Sequence, residues 1–271
     1  MHFLFLTALK AEAKPIISTF NLCKNETNRI YSKNEFSVFI TGVGEKKTIP
    51  RIHQLMNMDF KWDETIIINI GLAGGHPNTT SLGECYLIHK ITKESNGDSY
   101  FPDILTDHDW GERSLITANK PITQISNDYP ELVDMESAYI YHAMQKIIPS
   151  HRMIFIKIVS DHMDIINWRE VNIENLIQNH IISIQDWISN NEWSSFKDRQ
   201  IITKDELNIL HKGFAKIRCT IAQQYQLIDS IEKYKKLYNR LPNLSHYFEQ
   251  KPKSKSERNQ IIKKIKHELS A

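Results

Sequence analysis

Cysteine is scarce in this 271-residue chain: Cys23, Cys85 and Cys219 lie far apart and form no metal-type pair. That spacing argues against a cysteine-built metal knuckle and suggests a reducing, cytoplasmic setting. No window approaches the run of roughly 20 apolar residues that a membrane helix requires, so no membrane partner is expected. The opening stretch Met1–Leu9 is apolar but short, lacks a basic lead and runs straight into Lys10 and Glu12. It reads as a first strand, not a signal peptide. Nothing repeats at solenoid spacing. Glycine is sparse and uneven: Gly111 and seven others lie before residue 112, and only Gly213 follows.

What is present is ordinary in bulk. Hydrophobic content of 41% and charged content of 24% are those of a globular protein, and the length allows a full core in one or two domains. The net charge of +2 hides an asymmetry. Residues 196–271 carry 17 Lys+Arg against 8 Asp+Glu, a balance of +9, which leaves −7 on the rest. With the change in glycine use, this places a boundary near Asn190–Lys197 and predicts two domains, 1–192 and 197–271.

Along the first domain, strand and helix patterns alternate, the signature of an α/β fold. Residues 2–8 read as a buried strand, with Glu12 just beyond it in a helix that includes Ile16, Ile17 and Phe20. Residues 36–41 read as a strand that ends in Gly42-Val43-Gly44 and leads into a helix with Ile49, Ile52, Leu55 and Met56. Strand, Gly-x-Gly, helix is a common way to bring backbone close to a ligand, although plain turns look the same. Residues 65–70 form a near-continuous apolar run, as expected of a central strand covered on both faces. Gly71-Leu72-Ala73-Gly74-Gly75 follows, and its three glycines read equally as backbone amides left open to a planar or anionic group and as a plain bend. Leu82–Ile91 and Leu115–Ala118 read as strands, residues 92–112 as polar turns, and Val171–Trp187 as the closing helix.

Two stretches carry the chemistry. Leu132-Val133-Asp134-Met135-Glu136-Ser137-Ala138-Tyr139 reads as the start of a helix, with two carboxylates at its mouth and Ala138, Tyr141, Met144 and Ile147 following at helical spacing. Phe155–Asp161 reads as a buried strand, apolar except for Lys157, that stops at Ser160-Asp161. A carboxylate at a helix start and another past a strand end converge readily at one edge of an α/β sheet, where sites form. The plain alternative is that acidic residues complement a helix dipole and that Ser-Asp is only a turn.

The order of these motifs resembles the nucleoside phosphorylase and nucleosidase superfamily, and most closely the 5′-methylthioadenosine/S-adenosylhomocysteine nucleosidases, over residues 1–190. The family's catalytic glutamate after the first strand matches Glu12 in Thr7-Ala8-Leu9-Lys10-Ala11-Glu12. Its Ser/Thr-Gly-x-Gly turn matches Thr41–Gly44, and its Asn-x-Gly-x-Ala-Gly-Gly segment matches Asn69–Gly75. Its sugar-binding Glu-Met-Glu appears as Asp134-Met135-Glu136, and its Ser-Asp as Ser160-Asp161. Five motifs in order are far more specific than any one.

The resemblance implies a three-layer α/β/α fold with a central mixed sheet and an α-helical C-terminal extension. It implies a small-molecule nucleoside substrate and a homodimer, with no cofactor and no metal. A protonated Asp161 would donate to the purine N7, Glu12 would deprotonate the attacking water, and Glu136 would accept the ribose hydroxyls. Met135 would pack against the sugar. Ala73, Gly74, Lys157 and Ser160 complete the implied site, with Ile122 beside the base and Trp168 over the 5′ side.

This chain departs from the family in three places. Leu72 stands where the nucleosidases usually have Ser or Thr, and Lys157 where they have Arg. Residues 76–133 are shorter than in typical members, which removes walls of the base and 5′ pockets. A phosphorylase needs an anion pocket, and Asn69 and Leu72 offer neither charge nor hydroxyl for one. With Glu12, this favours hydrolysis over a phosphorylase, and the intact set of Glu12, Glu136 and Asp161 favours it over a nucleotide- or nucleic-acid-binding protein that reuses the fold with the basic tail as its working part.

The last segment lies outside the resemblance. Thr203-Lys204-Asp205-Glu206 reads as a capping box. Leu207, Leu210, Phe214, Ile217, Ile221, Ile228 and Ile231 then predict one long amphipathic helix that packs on the main domain or a partner helix. Leu241–Leu244 breaks it, and Ser245–Gln250, the basic turn Lys251–Lys255 and a last helix with Ile261, Ile262, Ile265 and Leu269 follow. Two short helices around a basic turn leave nucleic-acid contact through 197–271 as the lesser expectation.

Overall fold

The apolar run at residues 65–70 becomes the middle of a ten-stranded mixed sheet. The computed structural model describes residues 1–25, 30–164, 171–196, 202–238 and 240–269. It divides into two compact units, Met1–Lys197 and Asp198–Ala271.

In the first unit the strands are β1 (His2–Thr7), β2 (Cys23–Asn25), β3 (Ile30–Lys33), β4 (Phe36–Ile40), β5 (Thr65–Gly75), β6 (Cys85–Lys93), β7 (Ser99–Tyr100), β8 (Gly111–Thr117), β9 (Leu132–Asp134) and β10 (Met153–Asp161). The helices are α1 (Lys10–Thr19), α2 (Glu45–Met56), α3 (Ser137–Met144) and α4 (Ile173–Asn190). β5 runs parallel to both β1 and β10. β10 pairs with β6, β6 with β8, β8 with β9, and β9 returns antiparallel onto the end of β5. Half of the sheet thus closes into a ring, of which the far end of β5 is itself a member.

Strand alternation builds the layers. Phe3, Phe5, Ile66, Ile68, Ile154, Ile156 and Ile158 face a core completed by α1 and α4. Leu4, Leu6, Ile67, Phe155 and Val159 face the opposite core, completed by α2 and α3. Successive side chains of a strand point to opposite faces, so strands covered on both sides must be apolar throughout, as these are.

Two readings of this unit need correction. Gly71–Gly75 is not a turn: β5 continues through it, because Gly74 and Gly75 pair with Val133 and Leu132. A side chain at Gly75 would meet Thr80 Oγ1 at 2.2 Å and Val159 Cγ1 at 2.8 Å, so the close approach of these side chains requires glycine there. Leu132-Val133-Asp134 is not the first turn of a helix but strand β9, and α3 begins only at Ser137. The periodicity was that of the helix, and pairing with β5 and β8 claimed the residues before it.

The second unit holds α5 (Lys204–Lys216), α6 (Ile221–Tyr238), α7 (Ser245–Phe248) and α8 (Lys255–Leu269). The expected single long helix is two. Arg218 takes the left-handed conformation (φ 55°), its N–H donates to Ala215 O at 3.1 Å and that of Cys219 to Phe214 O at 3.0 Å. This is a Schellman stop with arginine where glycine is usual. Thr220 and Gln223 then form a reciprocal cap that starts α6. The apolar stripe does not wait for another partner. Leu210, Phe214, Ile217, Leu227, Ile231, Ile261, Ile262 and Ile265 close on one another within the unit.

Candidate active site

Glu12 stands at the third position of α1, and its side chain turns back to that helix's own start. Oε2 accepts from the N–H groups of Ala8 and Leu9, each at 2.8 Å. Those donors have no partner within the helix, so the carboxylate satisfies them. Oε1 accepts from the Leu72 N–H at 3.1 Å, which ties α1 to β5. Burial pushes the Glu12 carboxyl up, against the opposing pull of those N–H groups and of the Lys157 ammonium.

Glu136 sits just before α3 and reaches across to the glycine turn, where the Gly44 N–H donates to its Oε1 at 2.8 Å. Gly44 holds φ 75°, a left-handed conformation that aims this N–H outward at the start of α2. Burial, reinforced by repulsion from Asp134, pushes the Glu136 carboxyl up to about 8, and Lys157 and the Gly44 N–H only partly offset this.

Between the two glutamates lies a buried ion pair, Lys157 Nζ to Asp134 Oδ2 at 2.9 Å. Asp134 is fully engaged. Ser137 Oγ and N donate to Oδ2 at 2.6 and 3.0 Å, and Thr117 Oγ1 donates to Oδ1 at 2.7 Å. Lys157 also approaches Glu12: a Cβ at Gly71 would lie 3.1 Å from Glu12 Oε1 and 3.5 Å from Lys157 Nζ. One ammonium thus serves three buried carboxyl groups.

Asp161 is the last residue of β10, past a register shift after Val159. Its Oδ2 accepts from Ser160 Oγ at 2.5 Å and its Oδ1 from Met163 N at 2.7 Å. Met163 itself is left-handed, with φ 61°. The packing beside it is close, since a Cβ at Gly74 would meet Asp161 Oδ1 at 3.3 Å and Met163 Cγ at 3.2 Å.

A single cavity of about 370 Å³ collects these groups. Glu12, Ala73, Gly74, Ile122, Met135, Glu136 and Asp161 all line it, drawn from segments far apart in the chain. Two sequence-stated candidates do not. Lys157 stands behind the wall, held by Asp134, and Ser160 acts by donating to Asp161 rather than by facing the space. Trp168 lies outside the described residues.

Sequence reasoning passed over Leu9, Lys120 and Ile173, which also line the cavity. Lys120 precedes the Pro121-Ile122 pair but sits in a polar stretch that carries no motif. Asn69 is buried in the sheet, where its side-chain N–H donates to Leu6 O at 3.0 Å and its Oδ1 accepts from Ser137 Oγ at 3.2 Å. Among the described residues no cluster of His, Cys, Asp and Glu could hold a metal ion, and no helix is long and apolar enough to cross a membrane.

No family model and no curated protein matches the sequence. Solved structures do match the fold. A nucleosidase (MTAN) from Chlamydia trachomatis, bound to MTA, superposes with a TM-score of 0.57 at 21% identity, over 69% of this chain and 98% of that one. A structure from Borrelia burgdorferi B31 described as a 5′-methylthioadenosine/S-adenosylhomocysteine nucleosidase, bound to adenine, gives 0.57 at 18% identity, over 69% and 99%. The S. pneumoniae nucleosidase with a transition-state inhibitor gives 0.55 at 16% identity, over 69% and 98%. The class these likenesses define is structural: the chain carries the α/β fold of the methylthioadenosine/adenosylhomocysteine nucleosidases.

Proposed function

We propose that the first unit hydrolyses the N-glycosidic bond of a purine nucleoside or 5′-thionucleoside and releases the free base. One observation carries this reading: Glu12, Glu136 and Asp161, which the sequence scatters, line one cavity. Its volume suits a nucleoside-sized ligand.

The roles follow from position. Breaking the bond from the sugar C1′ to the base builds positive charge on the ribose and negative charge on the base. Asp161, packed beside Gly74 in the cavity wall, hands a proton to the departing base at N7. Water attacks C1′ and loses a proton to Glu12, whose burial makes it a stronger base than a surface carboxylate. Glu136, ionised, accepts the ribose hydroxyls and faces the developing positive charge. Ser160 and Lys157 are positioning residues, the first acting on Asp161 and the second on Asp134. Apolar Leu9, Ile122, Met135 and Ile173 shape the walls.

Water, not phosphate, is the nucleophile in this reading. Asn69 is occupied inside the sheet and does not reach the cavity. Leu72 contributes its N–H to Glu12 instead of a hydroxyl to an anion. A cytoplasmic setting and a homodimer, the latter measurable by light scattering, go with the same reading.

The test is a panel of purine nucleosides and 5′-thionucleosides incubated with and without phosphate. Free base and free sugar released equally in both arms are expected. Release that requires phosphate and yields the sugar 1-phosphate would replace this proposal by phosphorolysis.

A further inference from the structure

The second unit leaves its strongest charge unused. Its apolar residues close into a core of their own, so the basic side chains outside it have no packing task. Seven Lys and Arg fall between residues 251 and 266, with Glu257 the single carboxylate among them. Glu257 accepts from the backbone N–H of Lys253 at 2.7 Å. Elsewhere in the unit lysines pair with acids, as in Lys233–Asp229 and Lys235–Glu206. Lys251, Lys253, Lys255, Lys263 and Lys264 are exposed and make no ion pair among the described residues.

Spacing gathers part of this charge. Lys255, Asn259, Lys263 and Lys266 follow at four-, four- and three-residue steps, so they share one side of α8, apart from the buried Ile261, Ile262, Ile265 and Leu269. Neutral amides flank them. Gln223 of α6 donates to Asn259 at 3.1 Å, and Lys266 donates to Gln226 at 2.7 Å. The result is a row of lysines set among amide groups.

We infer that this face of α8, with the Lys251–Lys255 turn, binds the sugar-phosphate backbone of a nucleic acid. Exposed lysines along one helix face, Lys255 and Lys263 among them without an ion pair among the described residues, match a polyanion of regular charge spacing. A membrane surface fits less well. A helix that lies on lipid needs apolar side chains to insert, and the large exposed apolar residues of this unit, Ile209, Ile221, Tyr225, Leu237 and Tyr238, all belong to α5 and α6. The inference does not depend on the reaction proposed for the first unit.

Fluorescence anisotropy on the full-length chain tests it, with labelled single-stranded RNA, single-stranded DNA and duplex DNA as separate probes. Binding to at least one probe is expected at about 50 mM salt, weakening roughly a hundredfold or more by about 200 mM. The double variant Lys255→Gln, Lys263→Gln should weaken binding at least about fivefold, since each lost phosphate contact is worth close to a factor of ten near about 0.1 M salt. The double variant Lys212→Gln, Lys216→Gln removes the same charge from exposed positions on α5 and should change binding by less than about twofold. Circular dichroism on both variants reports folding. No binding to any probe at low salt, equal losses in the two variants, or tighter binding to anionic vesicles than to every polynucleotide would each overturn the inference.

Discussion

The two units of this chain bury different things. The first closes over Glu12, Asp134, Glu136, Lys157 and Asp161, all nearly inaccessible to solvent. In the second, every buried residue described is apolar, and the charge stays outside. Burying an ionisable group is costly unless hydrogen bonds or an opposite charge compensate it. The first unit supplies that compensation residue by residue, through Leu72, Gly44, Ser137, Thr117 and Ser160. The second unit has no fully buried ionisable residue among those described, and its Lys235–Glu206 pair is only partly buried. On the function proposed above, chemistry lies in the interior of one unit and, by the inference above, recognition on the surface of the other.

The contrast breaks most sharply at the residues proposed as acid and base, Asp161 and Glu12. Asp161→Asn keeps the shape of the side chain but removes the proton that the base requires, and a loss of base release of about a hundredfold or more is expected. Glu12→Gln should lower kcat far more than it raises KM, because water activation counts mainly in the transition state. Steady-state kinetics on the preferred nucleoside measure both. Near-parental turnover by the Asp161 variant would remove it from the role of acid.

The next effect falls on the buried pair. Lys157→Met leaves Asp134 charged, buried and without its counter-ion, a change that typically costs about 3–5 kcal/mol. The thermal midpoint of the first unit and base release should fall together. Lys157→Arg should restore much of both if charge at this position is what matters, and neither if only the shape of lysine is tolerated.

A gentler effect is expected from pH. The Glu136 carboxyl is raised from an ordinary value of 4.5 to about 8 by burial and by Asp134. Between those values the folded protein holds a proton that the unfolded chain has lost. The stability this gives is complete below 4.5 and disappears as pH rises through about 8. Thermal midpoints should therefore fall over that range, and less so in Glu136→Gln. Accepting two ribose hydroxyls requires the ionised form, so nucleoside affinity should rise between about pH 6.5 and 8.5 in the parent and stay flat in the variant. Calorimetry in buffers of different ionisation heat would detect the released proton directly.

How much of this was legible follows the same division. In the first unit the apolar runs of β1, β5 and β10 announced themselves, because a strand covered on both faces leaves no polar gaps. Glu12, Glu136 and Asp161 could be picked out because motifs in a fixed order frame them. Strand β9 could not be read, since three residues have no periodicity and their identity as strand comes from pairing with β5 and β8. The motif match sets Lys157 toward the substrate, whereas in the fold Asp134 holds it. Lys120 gave no signal at all. In the second unit the helix stop at Arg218 was hidden because arginine, not glycine, takes the left-handed position. The start of α6 was in view as Thr220-x-x-Gln223, a cap pattern obscured by the apolar spacing that runs through it.

The last prediction asks whether the two interiors are independent. Gly213 lies within α5, where its bare Cα lets the Phe248 ring approach; a Cβ there would stand 2.3 Å from that ring. Gly213→Ala raises intrinsic helix propensity by about 1 kcal/mol, but displacing a packed ring typically costs about 1–3 kcal/mol. The second effect wins if Phe248 has nowhere to move, and Phe248 packs against buried Phe214 with ring centroids 5.7 Å apart. A scanning melt of the variant should then show an earlier transition for the helical unit and an unshifted one for the α/β unit, with kcat and KM for base release unchanged. One merged transition that shifts as a whole, or a loss of activity in step with it, would show that the cores melt together and that the division into a chemical interior and a recognition surface is not a division in stability.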